Sequence, residues 1–254
     1  MDREQSWNVI ECERLRLAAL LETLSQDEWN QPSLCAGWRV RDVAAHVALT
    51  PQPPSVLGML AEGVRAGGRF HKLNHDVAVR HAARPGVDVV AELRDHAASR
   101  RLPAVTSYRN ILFDVLVHSQ DIALPLGRRH PMPIDAARAG AQRAWTMGWP
   151  FWARHRLRHY RLTATDITWS VGRGADVDGP IEALLLLITG RAASLLRLSG
   201  PGVPMLRRHF QTGTPSPGRP PVARPTLRRS HADPDQANLH EREAHEGRRP
   251  WPTP

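Results

Sequence analysis

The sequence predicts a mainly α protein. It divides into a helical bundle over residues 1–130, a small α/β (α+β) C-terminal domain over 131–208, and a disordered Pro/Arg-rich tail over 209–254. Three observations predict this division. Apolar residues recur at helical spacing as far as Pro125, with Pro and Gly clustered mainly between segments. Thr and aromatic residues alternate between residues 158 and 171, which is strand spacing. Nine of the 22 prolines follow residue 208, among charged residues and with too few large apolar side chains to offset ordering entropy.

Trp7, Ile10, Leu15, Ala18, Leu21 and Leu24 place a first helix over 3–24. Ser25-Gln26-Asp27-Glu28 reads as a stop followed by a new cap. Gly37 ends a turn, and Val40, Val43, Ala44 and Val47 form the apolar stripe of a helix over 39–49. Pro51, Pro53 and Pro54 mark a loop. A helical stretch with glycine interruptions follows over 55–82, then a helix over 87–100 closed by Pro103. Residues 104–124 are apolar almost all round, the pattern of a buried helix, and stop at Pro125. A further helix is expected over 134–146 and an aromatic, basic connector over 149–156. Extended segments over 158–166, 167–171 and 175–177 surround the turn Gly172-Arg173-Gly174. A strongly apolar helix over 180–197 is closed by Gly200-Pro201-Gly202.

Composition excludes several function classes. No run of 18 apolar residues exists, so no membrane-spanning helix is expected. The N-terminus is charged and has no apolar core of a signal peptide. Cys12 and Cys35 offer no disulfide framework and fit a reducing compartment, so the expected location is cytoplasmic. The net charge of +9 is spread, about +4 after residue 204 and about +5 before it. A nucleic-acid surface calls for clustered charge with aromatic platforms, so that partner is not expected; a basic tail that binds nucleic acid is the contrary reading. The expected state is monomer or homodimer.

Asp114 and His118 stand four residues apart on the buried helix and share one face. A buried carboxylate needs a cation, an arginine or a shifted pKa. His46, on the edge of the 39–49 stripe, is a candidate third ligand from a second helix. Two nitrogens and an oxygen suit Zn²⁺ with a fourth position open; Ni²⁺, Fe²⁺ and Mn²⁺ also fit. Without a metal, Asp114 and His118 read as a buried hydrogen-bonded pair.

The other candidates carry plainer readings. His71 and His75 fall in a polar stretch and read as solvated, and His155 and His159 lie on a basic face. Cys35 reads as a turn-packing position, Gly172-Arg173-Gly174 as a hairpin turn, and Trp145, Trp149 and Trp152 as packing between domains. The His-Glu-x-x-His signature of a zincin protease is absent.

Three stretches together resemble the mycothiol-dependent maleylpyruvate isomerase family, a branch of the DinB-like bundles of actinobacteria. They are Pro32–Trp38 with Asp42–His46; Asp114–Gly127; and Ala164–Asp166 with Trp169, Gly172, Gly174, Val177, Gly179-Pro180 and Leu184 to Arg191. The resemblance spans roughly residues 5–205. It implies a DinB-like four-helix bundle followed by a smaller α/β domain. It implies a divalent metal, usually zinc, held by His46, Asp114 and His118, and mycothiol as cosubstrate. The founding isomerase resembles Glu-x-x-x-His at the second motif, where this chain has Asp114, one methylene shorter. Asp121, one turn beyond His118, is the candidate to accept from a ligand imidazole. Arg191 is the candidate to grip a substrate carboxylate bidentately. The expected function is thiol chemistry on a small electrophile, as S-transfer or cis–trans isomerisation. The alternative is a non-catalytic metal- or ligand-binding protein on the same scaffold.

Overall fold

A computed structural model describes residues 1–52, 70–84, 87–103 and 106–211. The tail assigned to 209–254 lies outside the described residues from 212 onward, as does the whole of 53–69. No described helix is long and apolar enough to cross a membrane.

The described N-terminal helices are α1 (Arg3–Glu22), α2 (Gln26–Asn30), α3 (Val40–Leu49), α4 (Phe70–Ala82), α5 (Val89–Asp95) and α6 (Tyr108–Ala123). Local chemistry sets their starts. Asp2 and Gln5 form a reciprocal capping box at α1, and Ser25 with Glu28 forms the box expected from sequence at α2. Asp88 accepts from the Val90 and Ala91 amides at 3.0 Å and caps α5. The buried Arg14 guanidinium donates to the carbonyls of Ala97 and Ser99, at 3.0 and 2.9 Å, just past the end of α5. In packing, α1 lies against α5 and α6, while α3 lies against α4 and α6. The helix expected over 87–100 is shorter than its sequence span, because Ala97 to Ser99 turn to meet Arg14.

Four further helices and a sheet follow: α7 (Ile134–Thr146), α8 (Ala153–Arg156), β1 (Tyr160–Ala164), β2 (Ser170–Gly172), β3 (Ala175–Gly179), α9 (Ile181–Ile188), a 3₁₀ turn over Ala192–Arg197, and α10 (Val203–Gln211). The sheet order is β2-β1-β3, with β1 antiparallel to β2 and parallel to β3. The fold is mainly helical with a small α/β part, as the sequence predicts. One continuous core runs from Trp7 to Leu206. Helix α7 joins its two ends, packing against α6 on one side and α9 on the other.

Two expectations are corrected. The apolar helix expected over 180–197 ends at Ile188. Gly190 takes φ +92°; its N–H bonds the Leu187 carbonyl and the Arg191 N–H bonds the Leu186 carbonyl. That is a Schellman cap, which glycine adopts without a Cβ clash. It turns Arg191 out of the helix into extended backbone. The tryptophans do not act as one packing group. Trp145 is buried on α7, but Trp149 and Trp152 are 50% and 58% exposed on the surface loop before α8. Loops run on the surface because their backbone needs water.

Helix α7 approaches α6 closely because Ala136, Ala137, Gly140, Ala141 and Ala144 present little side chain. A Cβ on Gly140 would stand 3.0 Å from Phe113 Cβ and 3.3 Å from Leu185 Cδ2. Replacing Gly140 with Val should therefore overpack this crossing and cost about 1–3 kcal/mol, read as a lowered urea midpoint with an unchanged slope.

Candidate metal centre

The site is assembled from α3, α6 and two turns. Ser33, Trp38 and Gly37 shape the turn before α3: the Ser33 amide donates to the Trp38 carbonyl at 2.9 Å, and Gly37 takes φ +82°. The Asp42 carboxylate accepts the Arg39 amide at 2.9 Å and its guanidinium at 3.0 and 3.1 Å, fixing the first turn of α3. His46 follows one turn later on α3, facing α6.

His46, Asp114 and His118 meet there. His46 Nε2 lies 3.5 Å from Asp114 Oδ2, and His118 Nε2 lies 3.4 Å from Asp114 Oδ1. The three donor atoms all fall within 4.8 Å of one another. These separations are long for hydrogen bonds. They match two donors on one tetrahedral ion, whose ligands at about 2.05 Å stand about 3.3 Å apart. The imidazole rings of His46 and His118 are 4.9 Å apart and nearly perpendicular. All three side chains keep partial exposure. The donor set therefore fits a divalent cation, with His46, Asp114 and His118 as the residues that would hold it.

The far side of His118 is occupied by a buried network. His118 Nδ1 lies 2.9 Å from Asp121 Oδ2. Arg191 grips the same carboxylate with both edges, Nε to Oδ1 at 3.0 Å and Nη2 to Oδ2 at 2.6 Å. Arg191 Nη1 also donates to the Thr189 carbonyl at 2.7 Å. Asp121 thus stands within hydrogen-bond reach of the His118 imidazole. The fork of Arg191 is already filled by Asp121, so the bidentate grip expected on a substrate carboxylate is made here on this buried partner. A lone guanidinium contact to substrate would need the remaining Nη1 hydrogen.

Cys35 is the residue that sequence reasoning missed. Its Sγ donates to Asp121 Oδ2 at 3.0 Å, with His118 Nδ1 at 3.7 Å and Arg191 Nη2 at 3.6 Å. The Leu34 amide donates to the Asp121 backbone carbonyl at 3.1 Å and brings the turn there. Nothing in the local sequence signals this contact, which spans 86 positions. Cys35, His118 and Asp121 form a second group of potential ligands. The guanidinium on Asp121 disfavours a dication in that group, which leaves the first as the candidate.

His75 is also nearer than expected. Its ring lies edge-on to Trp38 at 5.6 Å, and Trp38 lies edge-on to His46 at 5.6 Å. The side chain of His71 lies outside the described residues, and His155 and His159 are exposed as expected.

Electrostatics follow from the burial. Desolvation opposes ionisation of Asp114, but the His118 and His46 imidazoles outweigh it and hold the carboxyl below the usual range. Burial also opposes charge on His118; Asp114, Cys35 and Asp121 outweigh it and raise its pKa well above the ordinary value. Burial likewise opposes the Asp121 charge, and Arg191 and His118 hold it ionised. A cation must displace the proton on His118, so metal uptake strengthens as pH rises.

Residues 10–110 match the family model of the mycothiol maleylpyruvate isomerase N-terminal domain. The match includes His46 and the turn before α3, and ends before Asp114. Two solved structures are similar in fold: a mycothiol-dependent maleylpyruvate isomerase (TM-score 0.55) and a histidine-to-alanine mutant of such an enzyme (TM-score 0.54). Each is 14% identical to this chain, and the likeness covers 85% of this chain and 96% of that one. No curated protein sequence matches this chain.

Two predictions follow from Asp121. Asp121→Asn replaces the charged acceptor that orients His118 with a neutral amide, and should weaken metal binding about 10- to 100-fold in competition with a chromogenic chelator. The Asp121 pKa is depressed in the folded state, so its stabilisation is complete above the unfolded value of about 4 and lost below it. Urea midpoints should show no loss from this pair between pH 7 and pH 5, then fall as pH drops below about 4.

Proposed function

We propose that this protein is a metal-dependent enzyme of thiol chemistry that uses mycothiol for S-transfer or cis–trans isomerisation of a small electrophile. The observation that carries the reading is the convergence of His46, Asp114 and His118 at 3.4–3.5 Å spacings. The match of residues 10–110 to the isomerase N-terminal domain supports the thiol, which is named for those proteins.

In this reading His46 Nε2, His118 Nε2 and an Asp114 oxygen hold the cation. A bound divalent cation supplies positive charge that favours the thiolate form of a cosubstrate near neutral pH. Asp121 accepts the Nδ1 proton of His118, which leaves the Nε2 lone pair facing the centre. Arg191 compensates the Asp121 charge and so keeps that carboxylate from taking the proton outright. Trp38 covers the His46 side and limits water there. The thiol sulfur adds to an electrophilic carbon of the substrate. If the adduct loses the thiol again after rotation about the former double bond, the net result is isomerisation. If a leaving group departs instead, the result is S-transfer.

The first test is elemental analysis of the purified protein beside His118→Ala. We expect about one equivalent of a divalent metal, lost in the variant. Turnover of maleylpyruvate or another small electrophile should then depend on both metal and added mycothiol. A folded protein that neither contains nor takes up metal overturns the reading. Stoichiometric metal with no thiol-dependent turnover moves it to a binding protein.

A further inference from the structure

Away from the metal centre, a cleft of about 460 Å³ opens where the start of α6 meets α7 and the loop before β2. Arg109, Arg138 and Arg143 line it, with the rings of Tyr108 and Trp169 and the buried Leu112. No Asp or Glu lines it among the described residues.

The three guanidinia are poorly compensated. Arg138 Nε is sealed from solvent with no hydrogen-bond acceptor, and the exposed Asp135 carboxylate stands 3.9 Å away, beyond hydrogen-bond reach. Arg143 spends only Nε, on Asn110 Oδ1 at 2.8 Å. The Arg109 guanidinium lies over the Tyr108 ring, 5.5 Å from its centroid. A buried donor without an acceptor costs free energy, and three like charges in one concavity raise the local potential. Both costs fall when an anion enters. The rest of the lining sets the Ser6, Gln142 and Thr146 side chains beside Leu112 and the Tyr108 and Trp169 rings, and the Trp169 indole N–H is spent on Gln142 Oε1 at 3.0 Å. Guanidinium groups match carboxylates bidentately, and aromatic walls take a flat apolar body. The volume lies within the range of small-molecule sites.

We infer that this cleft binds a small planar aromatic carboxylate, at a site distinct from the metal centre. The lining shares α6 with Asp114, but none of its residues belongs to the metal site.

The test is calorimetric titration of the full-length, metal-loaded protein with benzoate at fixed ionic strength, with inorganic phosphate as the comparison. Benzoate should bind saturably. Arg138→Gln should weaken it about tenfold, the loss expected for a charge-assisted hydrogen bond. Arg109→Gln is an independent second variant, and thermal melts of both check that the fold persists. Binding should survive removal of the metal by a chelator. Absence of saturable binding overturns the inference. So does binding that survives both arginine changes but vanishes with the metal, which would put the anion at the metal centre. Phosphate binding as tightly as benzoate also overturns it, because the rings would then contribute nothing.

Discussion

Three remote stretches of chain meet on the buried carboxylate of Asp121. Arg191, from the turn after α9, takes both of its oxygens. His118, one turn back on α6, and Cys35, from the turn before α3, share Oδ2. Leu34 takes the backbone carbonyl of the same residue. Removing two charges from water costs several kcal/mol per ion, and the attraction offsets this only when the geometry is good and the remaining lone pairs are used. Asp121 meets that condition, since each oxygen has a charged donor and no water is needed. The orientation of His118, and through it the spacing of the donor atoms, rests on this arrangement.

The metal centre and the network behind it divide the labour by exposure. His46, Asp114 and His118 keep 20%, 27% and 15% of their side-chain surface, whereas Asp121 keeps none. The three candidate donors are thus partly exposed, while the carboxylate behind His118 is dry. His118 belongs to both sets, with one nitrogen toward each. Changes behind it are therefore transmitted to the candidate donor set through a single rigid ring.

Part of this was legible in the sequence. The i, i+4 spacing of Asp114 and His118 on an apolar helix, and His46 on the edge of an apolar stripe, already named the three donors. Ser25 and Glu28 named a cap. The failures have physical causes. Beyond Thr189 and Gly190 the Leu184–Ile188 run resumes in residues of good helix propensity, Ala192 and Ala193, so Gly190 reads as an interruption and its positive φ shows it to be a stop. Arg191 stands out in the sequence, but its partner is a side chain 70 positions earlier. Cys35 reads as packing because periodicity reports a residue's own element and says nothing of the turn docking on α6. Trp149 and Trp152 show the same limit in reverse: aromatic character suggested burial, and loop position decided against it.

The Schellman turn at Gly190 has a consequence for how this molecule can be taken apart. Arg191 reaches Asp121 from outside the N-terminal helices, so the bundle itself supplies only His118 as counter-charge to that buried carboxylate. A bundle severed from the α/β part would lose the bidentate partner of Asp121, at a cost of several kcal/mol. The two parts are therefore not interchangeable cassettes. A C-terminal unit recombined onto this bundle must present an arginine at the same turn, and inheritance of one half constrains the other.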